Sequence, residues 1–299
     1  MQFNPNYLSQ LASSVSQSTA LENYLAEELS SGLRVTSLEV DPVAAAISSR
    51  IASSMAKDDS YIQASTNEQS MLNVTDSTLG EVVTQLTSAI ALAVGGNSGT
   101  LSASDMQGIA SKLSSIRDQV LSLANTSYLG SNLFGGSQGS TPPFSLDTST
   151  NPATVSYQGD TNVQQIATPT GQKIQLNLPG STIFGSTGSG VFAALNQLIS
   201  DFSSGTPSST ATTDVSALTD AMHQVSLQRS VLDNSLNQLQ STSQYAQTDK
   251  VQLTVQQSSL ISSDPTTIAT QLKSAETQHE ALLSVIATLG STNLFSYLR

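Results

Sequence analysis

Apolar residues near the carboxyl end recur at alternating steps of three and four. From Asp214 toward Ser262 the register holds Leu218, Met222, Val225, Leu232, Leu236, Leu239, Ala246, Leu253 and Leu260, with Arg229, Ser243, Lys250 and Gln257 at its remaining positions. A stripe repeating about every 3.5 residues stays on one side of a helix only where that side faces another helix. The amino end keeps the same rhythm through Leu8, Leu11, Val15, Ser18, Glu22, Leu25 and Leu29, which predicts an amphipathic helix ending near Ser31-Gly32. Asp41-Pro42 then supplies an N-cap and a first-turn proline for a second helix. Its register runs from Ile47 and Ile51 through Leu72, Leu79, Val83, Leu86 and Ile90 to Gly95-Gly96-Asn97. The middle of that register is weak, with Ser54, Asp58, Ser65 and Gln69, so the stretch is expected to be adaptable. Ser104 and Asp105 are placed to cap a third helix with the stripe Met106, Ile109, Leu113, Ile116, Val120 and Leu123, folding back on the second.

Between Gly135 and Gly190 helical spacing vanishes and Gly, Ser, Thr and Pro dominate. Thr154–Tyr157 and the alternation of Ile174, Leu176 and Leu178 predict small antiparallel strands with turns. Helical spacing returns at Val191, Leu195, Leu198 and Ile199, breaks over 203–213, and enters the long seam. A last helix follows Asp264-Pro265 with Ile268, Leu272, Ala275, His279, Leu282, Ile286 and Leu289, before Leu294 and Leu298 near the end. The predicted fold is mostly α with a small β-rich insert, an elongated antiparallel bundle of long helices built from both chain ends. Residues 1–41 pair with 264–299 as a terminal domain, 42–135 and 191–263 form a rod, and 136–190 form the surface insert.

A single seam offers about two buried side chains per heptad, too little to outweigh the conformational entropy of ordering the helix that carries it. Both terminal helices are therefore expected to become fully helical only when neighbouring subunits cover further faces. The expected packing residues are Leu8, Leu11, Val15, Leu25, Leu29, Ile268, Leu272, Leu282, Ile286, Leu289, Leu294 and Leu298.

With 37% hydrophobic but only 5% aromatic residues and no Trp, no large aromatic core is expected. The net charge of -12 and the scattered basic residues argue against nucleic-acid binding. Cysteine is absent, which excludes disulfides and thiolate sites. The amino end lacks a basic leader, and the longest apolar run, Ala89–Val94, is too short to cross a membrane, so no cleaved signal and no membrane insertion are expected.

The chemistry-bearing residues form no catalytic constellation. His223 and His279 are the two histidines, and the helix Gln278-His279-Glu280-Ala281-Leu282-Leu283 has Leu where a zinc-protease helix needs its second His. His279 is expected to be a packed or hydrogen-bonded interface residue. Gly130–Ser137 has phosphate-loop glycine spacing without the Lys, and so reads as a turn. Adjacent Asp58 and Asp59 diverge by about 100° on a helix and read as a solvated face. No catalytic, metal or cofactor site is expected, and the chain is not read as an enzyme.

Leu29-Ser30-Ser31-Gly32-Leu33-Arg34-Val35 followed by Asp41-Pro42-Val43-Ala44-Ala45 resembles the amino-terminal signature of the flagellin superfamily, with Ser31, Gly32, Leu33, Arg34, Asp41 and Pro42 as its motif positions. The closing Leu294-Phe295-Ser296-Tyr297-Leu298 resembles the superfamily's carboxyl end. Asp41-Pro42, the exit Tyr128–Ser137 and Tyr157-Gln158-Gly159-Asp160 are more similar to the hook–filament junction type than to filament flagellin, although Gly130-Ser131-Asn132 loosens the usual exit. The resemblance implies a self-assembling structural subunit at the hook–filament junction. It also implies contacts with flagellin and other hook-associated proteins, an export chaperone on the carboxyl-terminal helices, and an extracellular place on the bacterial flagellum reached through the flagellar secretion apparatus. Two other readings stay open: flagellin itself, and a cytoplasmic coiled-coil adapter.

Overall fold

Helix-forming periodicity at both ends of the chain yields long helices, and the Gly/Ser-rich middle yields short hairpins. The computed structural model describes residues 5–36, 39–97, 101–205 and 210–297. In chain order these form α1 (Pro5–Ser31), α2 (Pro42–Gly96), α3 (Ala103–Ala124), β1 (Ser127–Tyr128), β2 (Ser131–Asn132), β3 (Phe144–Asp147), β4 (Thr154–Tyr157), β5 (Gln165–Ala167), β6 (Lys173–Gln175), α4 (Gly180–Phe184), α5 (Gly190–Ser203), α6 (Ala211–Ile261) and α7 (Pro265–Tyr297). The chain divides into two compact units, residues 1–56 with 249–299, and residues 57–248.

In the first unit α1 packs on α7. The apolar centre of that pair is small: Leu25, Ile268 and Ala275 are buried, with Tyr24 and Leu272 packed against them.

In the second unit the seams of α2 and α6 meet the stripe of α3. Leu72, Leu79, Leu86, Leu113, Val120, Leu218, Val225 and Leu232 share one core. The cap of α3 lies two residues before the expected Ser104. Ser102 is the N-cap, and its side chain and that of Asp105 form a reciprocal capping box, so Asp105 acts three residues into the box. By length and composition, part of α2 is long and apolar enough to cross a membrane, contrary to expectation. Counting uninterrupted apolar runs overlooks the near-neutral Ser, Thr and Gly residues that a longer average tolerates. The buried side of this stretch, with Leu79, Val82, Leu86, Ala89 and Ala93, faces the protein core.

The insert contains two separate antiparallel hairpins, β3–β4 and β5–β6, and a third, β1–β2, precedes it directly after α3. In β3–β4, Phe144 pairs with Tyr157 and Leu146 with Val155; in β5–β6, Ile166 pairs with Ile174. Two features depart from the sequence reading. The short helix α4 lies within the segment expected to lack helix. An aromatic core is also present: Phe144 lies 5.0–5.4 Å, centroid to centroid, from Tyr157, Phe184 and Phe192, and Phe134 meets Phe184 edge-on at 5.4 Å. Low overall aromatic content failed to predict it because Phe134, Phe144, Phe184 and Phe192 come from distant segments and converge on one point.

Candidate assembly surface

Within the first unit, the link from α1 to α2 runs along the corner between α6 and α7. Gly32 closes α1 with φ +69°, a left-handed conformation that a side chain disfavours, and its N–H donates to the Glu28 carbonyl at 2.9 Å. The chain then runs against the end of α6. Arg34 N–H donates to Ile261 O at 2.7 Å, Ser263 N–H donates to Gly32 O at 3.0 Å, and Leu33 bridges Ser262. The Arg34 guanidinium ties three segments together, donating to Asp41 Oδ2 at 3.3 and 3.4 Å and to Leu260 O at 3.1 Å. Tyr24 Oη donates to Arg34 O at 3.3 Å.

Both corner aspartates cap the helix that follows. Asp41 Oδ1 accepts from Ala44 N–H at 2.9 Å, and that bond, reinforced by Arg34, holds its carboxyl below the usual range. Asp264 accepts from the Thr267 hydroxyl at 2.8 Å and from Thr266 N–H at 3.0 Å, and it is lowered for the same reason. The motif positions Ser31, Gly32, Leu33, Arg34, Asp41 and Pro42 are thus the joint between α1, α2 and the α6–α7 corner.

The expected packing residues fall into three groups. Leu25, Ile268 and Leu272 come together in the α1–α7 cluster, and Leu11 is also buried. Val15, Leu282 and Ile286 are half-buried, while Leu29 is 37% exposed. Leu8, Leu289 and Leu294 lie on α1 and α7 with side chains outside the described residues, and Leu298 lies outside them altogether. His279 Nδ1 sits 3.1 Å from Glu22 Oε1, with both side chains largely covered, so this histidine joins α7 to α1.

In the second unit the structure brings together two motifs that are far apart in sequence. Gly136, with φ +72°, lies against the Asp160 turn. The Asp160 carboxylate accepts from Ser137 N–H at 2.8 Å, Asn162 N–H at 3.0 Å and Asn162 Nδ2 at 3.0 Å, and from the Ser137 hydroxyl. These donors, the Ser137 hydroxyl foremost, hold it down to about 2. The Tyr157 hydroxyl has two acceptors for its one proton, Asp160 O at 2.7 Å and Phe134 O at 3.0 Å. Gly130–Ser137 is a hairpin end followed by a turn, and it leads into no helix.

Asp58 is buried at 3% exposure, which corrects the expectation of a solvated acidic face; the register that carries Tyr61 and Ser65 also turns Asp58 inward. Arg117 was not anticipated. It is 5% exposed and donates to Asp118 Oδ1 at 2.8 and 3.0 Å, Ala153 O at 3.3 Å, Asn196 Oδ1 at 3.3 Å and Ser114 Oγ at 3.2 Å, linking α3, α5 and the segment before β4. Its place beside Ile116 and near Val120 on the α3 stripe was the available signal. Among the described residues, no group of three or more His, Asp or Glu is arranged to hold a metal ion.

Residues 3–139 match the bacterial flagellin N-terminal helical region. Flagellar hook-associated protein 3 of Escherichia coli strain K12 is 27% identical over 255 residues, 80% of this chain and 80% of that protein. The Salmonella typhimurium strain LT2 protein of the same name is 30% identical over 185 residues, 61% of this chain and 54% of its own length. Among solved structures, one from Vibrio parahaemolyticus assigned as a flagellar hook-associated protein superposes with a TM-score of 0.63 at 24% identity, covering 75% of this chain and 100% of that one. The flagellar junction protein FlgL from Legionella pneumophila gives 0.54 at 14% identity, covering 61% and 95%. Both establish a shared fold.

Proposed function

We propose that this chain, whose residues 3–139 match the bacterial flagellin N-terminal helical region, is a structural subunit of the bacterial flagellum that forms the junction between hook and filament. The observation that carries this reading is the 27% identity to hook-associated protein 3 across 80% of both chains. The helical bundle and its small hairpin insert fit that role, and the reading is of a structural subunit and not an enzyme.

On this reading, residues 1–41 and 264–299 form the terminal domain, 42–135 and 191–263 the rod, and 136–190 the outward insert. Identical copies pack through the terminal helices, using Leu8, Val15, Leu29, Leu282, Ile286, Leu289, Leu294 and Leu298 around the internal Leu11, Leu25, Ile268 and Leu272. Flagellin and other hook-associated proteins are the neighbours above and below. Export runs through the flagellar secretion apparatus without a cleaved signal, with a chaperone holding the carboxyl-terminal helices. No nucleic acid, membrane insertion or cofactor enters this role.

The test is deletion of the gene in its own cell. Loss of filaments with unpolymerised flagellin in the medium supports the junction role, and normal filaments refute it. The flagellin N-terminal match over 3–139 favours one other reading, the filament subunit itself. Immuno-electron microscopy separates the two, because a junction subunit labels only the filament base and a filament subunit labels the whole length.

A further inference from the structure

The β1–β2 hairpin carries an anomaly at its tip. Leu129 and Gly130 form its two-residue loop with φ +50° and +83°, the left-handed pair of a type I′ turn. Among the described residues Leu129 is the single non-glycine at positive φ, and at 90% exposure it is the most exposed large apolar side chain. Asn or Gly is the usual occupant of that turn position, and either would remove both the backbone strain and the exposed apolar surface. Two independent penalties on one residue point to a contact made outside the subunit.

We propose that Leu129 is an assembly knob that inserts against the α6 surface of a second copy of this chain, at the strip around Leu227 and Val231. This rests on the self-assembly reading above. The strip fits in two respects. Leu227 and Val231 lie one helical turn apart and are 61% and 40% exposed, so they offer an unused apolar step on the same unit that bears the hairpin. Within one turn of the pair on that face, Gln224, Gln228, Ser230 and Asn234 carry no charge and His223 is the one titratable side chain, with Asp220 a further turn away, and Ser127, Tyr128, Gly130 and Ser131 around the knob carry no charge either. In a chain of net charge -12, a neutral tip meeting a neutral strip avoids the like-charge repulsion that most surface pairings would meet. Knob and strip lie on different elements, so each copy can offer its knob to one neighbour and its strip to another, the head-to-tail arrangement that generates rings or helical arrays and that a covalent ladder, as opposed to a closed dimer, would register.

The absence of cysteine permits a direct test with the full chain. The double variant Leu129→Cys/Val231→Cys is concentrated in ammonium sulfate to drive association and then oxidised. A ladder of covalent multimers is expected, with each single variant giving none. Dimers from Leu129→Cys alone, or normal association by light scattering without a ladder, overturn the proposal. If the unmodified chain never associates, the self-assembly reading fails and takes this contact with it. Independently, Leu129→Asn is expected to raise or preserve the monomer's thermal midpoint while weakening association about tenfold or more. Unchanged association with a raised midpoint overturns the knob.

Discussion

Replacing Leu25 with Ala tests whether the α1–α7 pair is a separately failing part of the fold. Leu25 is 4% exposed, and its buried company is Ile268 and Ala275, with Tyr24 and Leu272 at the margin. Truncation removes about three buried carbons at roughly 0.8 kcal/mol each, so the transfer loss is about 2.4 kcal/mol. Leu→Ala changes in cores cost about 2–5 kcal/mol once the cavity is included. A cluster this small, half open at its edges, relaxes easily, which places the expected loss near the lower end, about 2–3 kcal/mol. That loss falls on local opening of the helix pair, so amide-exchange protection across 8–29 and 268–289 should drop about 30- to 150-fold. Residues 57–248, whose core is separate, should keep their exchange rates. Hydrogen-exchange mass spectrometry of the wild type and Leu25→Ala reads both segments at once. Equal loss in both units, or a change below about threefold in the terminal helices, refutes the reasoning.

The other predictions concern the second unit. Arg117→Met strands the Ala153 carbonyl and the Asn196 side chain; with Asp118 still half in water, the cost is about 2–3 kcal/mol and a thermal midpoint lower by about 5–10 °C, measurable by calorimetry. Gly136→Ala puts a side chain at φ +72° and drives its Cβ into the Asp160 carboxylate and carbonyl, so the urea midpoint should fall by the equivalent of about 2–3 kcal/mol. The Asp160 carboxyl is held at about 2, below its unfolded value of 3.8. Its contribution is therefore full above pH 4 and disappears as pH falls through about 2. Urea midpoints of the wild type and Asp160→Asn should differ at pH 6 and converge toward pH 2; a gap independent of pH refutes the ionic account.

Periodicity made the long helices legible because a helix that faces a partner throughout must repeat its apolar positions, and Gly32, Pro42 and Pro265 punctuate them by fixed backbone rules. Tyr157 and Val155 betrayed a strand by alternation. The contacts that close the molecule were not legible in this way. Arg34 reaches Leu260 across 226 positions, and Arg117 reaches Ala153 and Asn196, which no local pattern encodes. Phe134, Phe144, Phe184 and Phe192 look sparse along the chain because sequence distance hides convergence. Leu129 was invisible for the opposite reason: Tyr-Leu-Gly-Ser reads as an ordinary turn, and only the backbone angle and the exposure expose the cost.

The weak middle of α2 acquires a different meaning from its contacts. Asp58, Tyr61 and Ser65 occupy seam positions and are buried, and Tyr61 and Ser65 bond directly to α6. Tyr61 Oη pairs with Thr242 Oγ1, Ser65 Oγ donates to Leu239 O at 3.3 Å, and Gln69 Nε2 donates to Ser65 Oγ at 3.0 Å. On the α6 side Ser235 and Ser243 are buried in the same stretch. Beyond it, Arg229 donates to Asp76 Oδ1 at 2.8 Å. An all-leucine seam would gain apolar burial but would accept α6 shifted by a heptad almost as well as in place. Here a shift separates Tyr61 from Thr242, Ser65 from its carbonyl and Arg229 from Asp76, leaving several polar groups without partners at about 1–3 kcal/mol each where they are buried. The polar stretch therefore gives up some stability and fixes the register of the two longest helices. An adaptable segment would need neighbouring registers of similar energy, and these bonds remove that degeneracy.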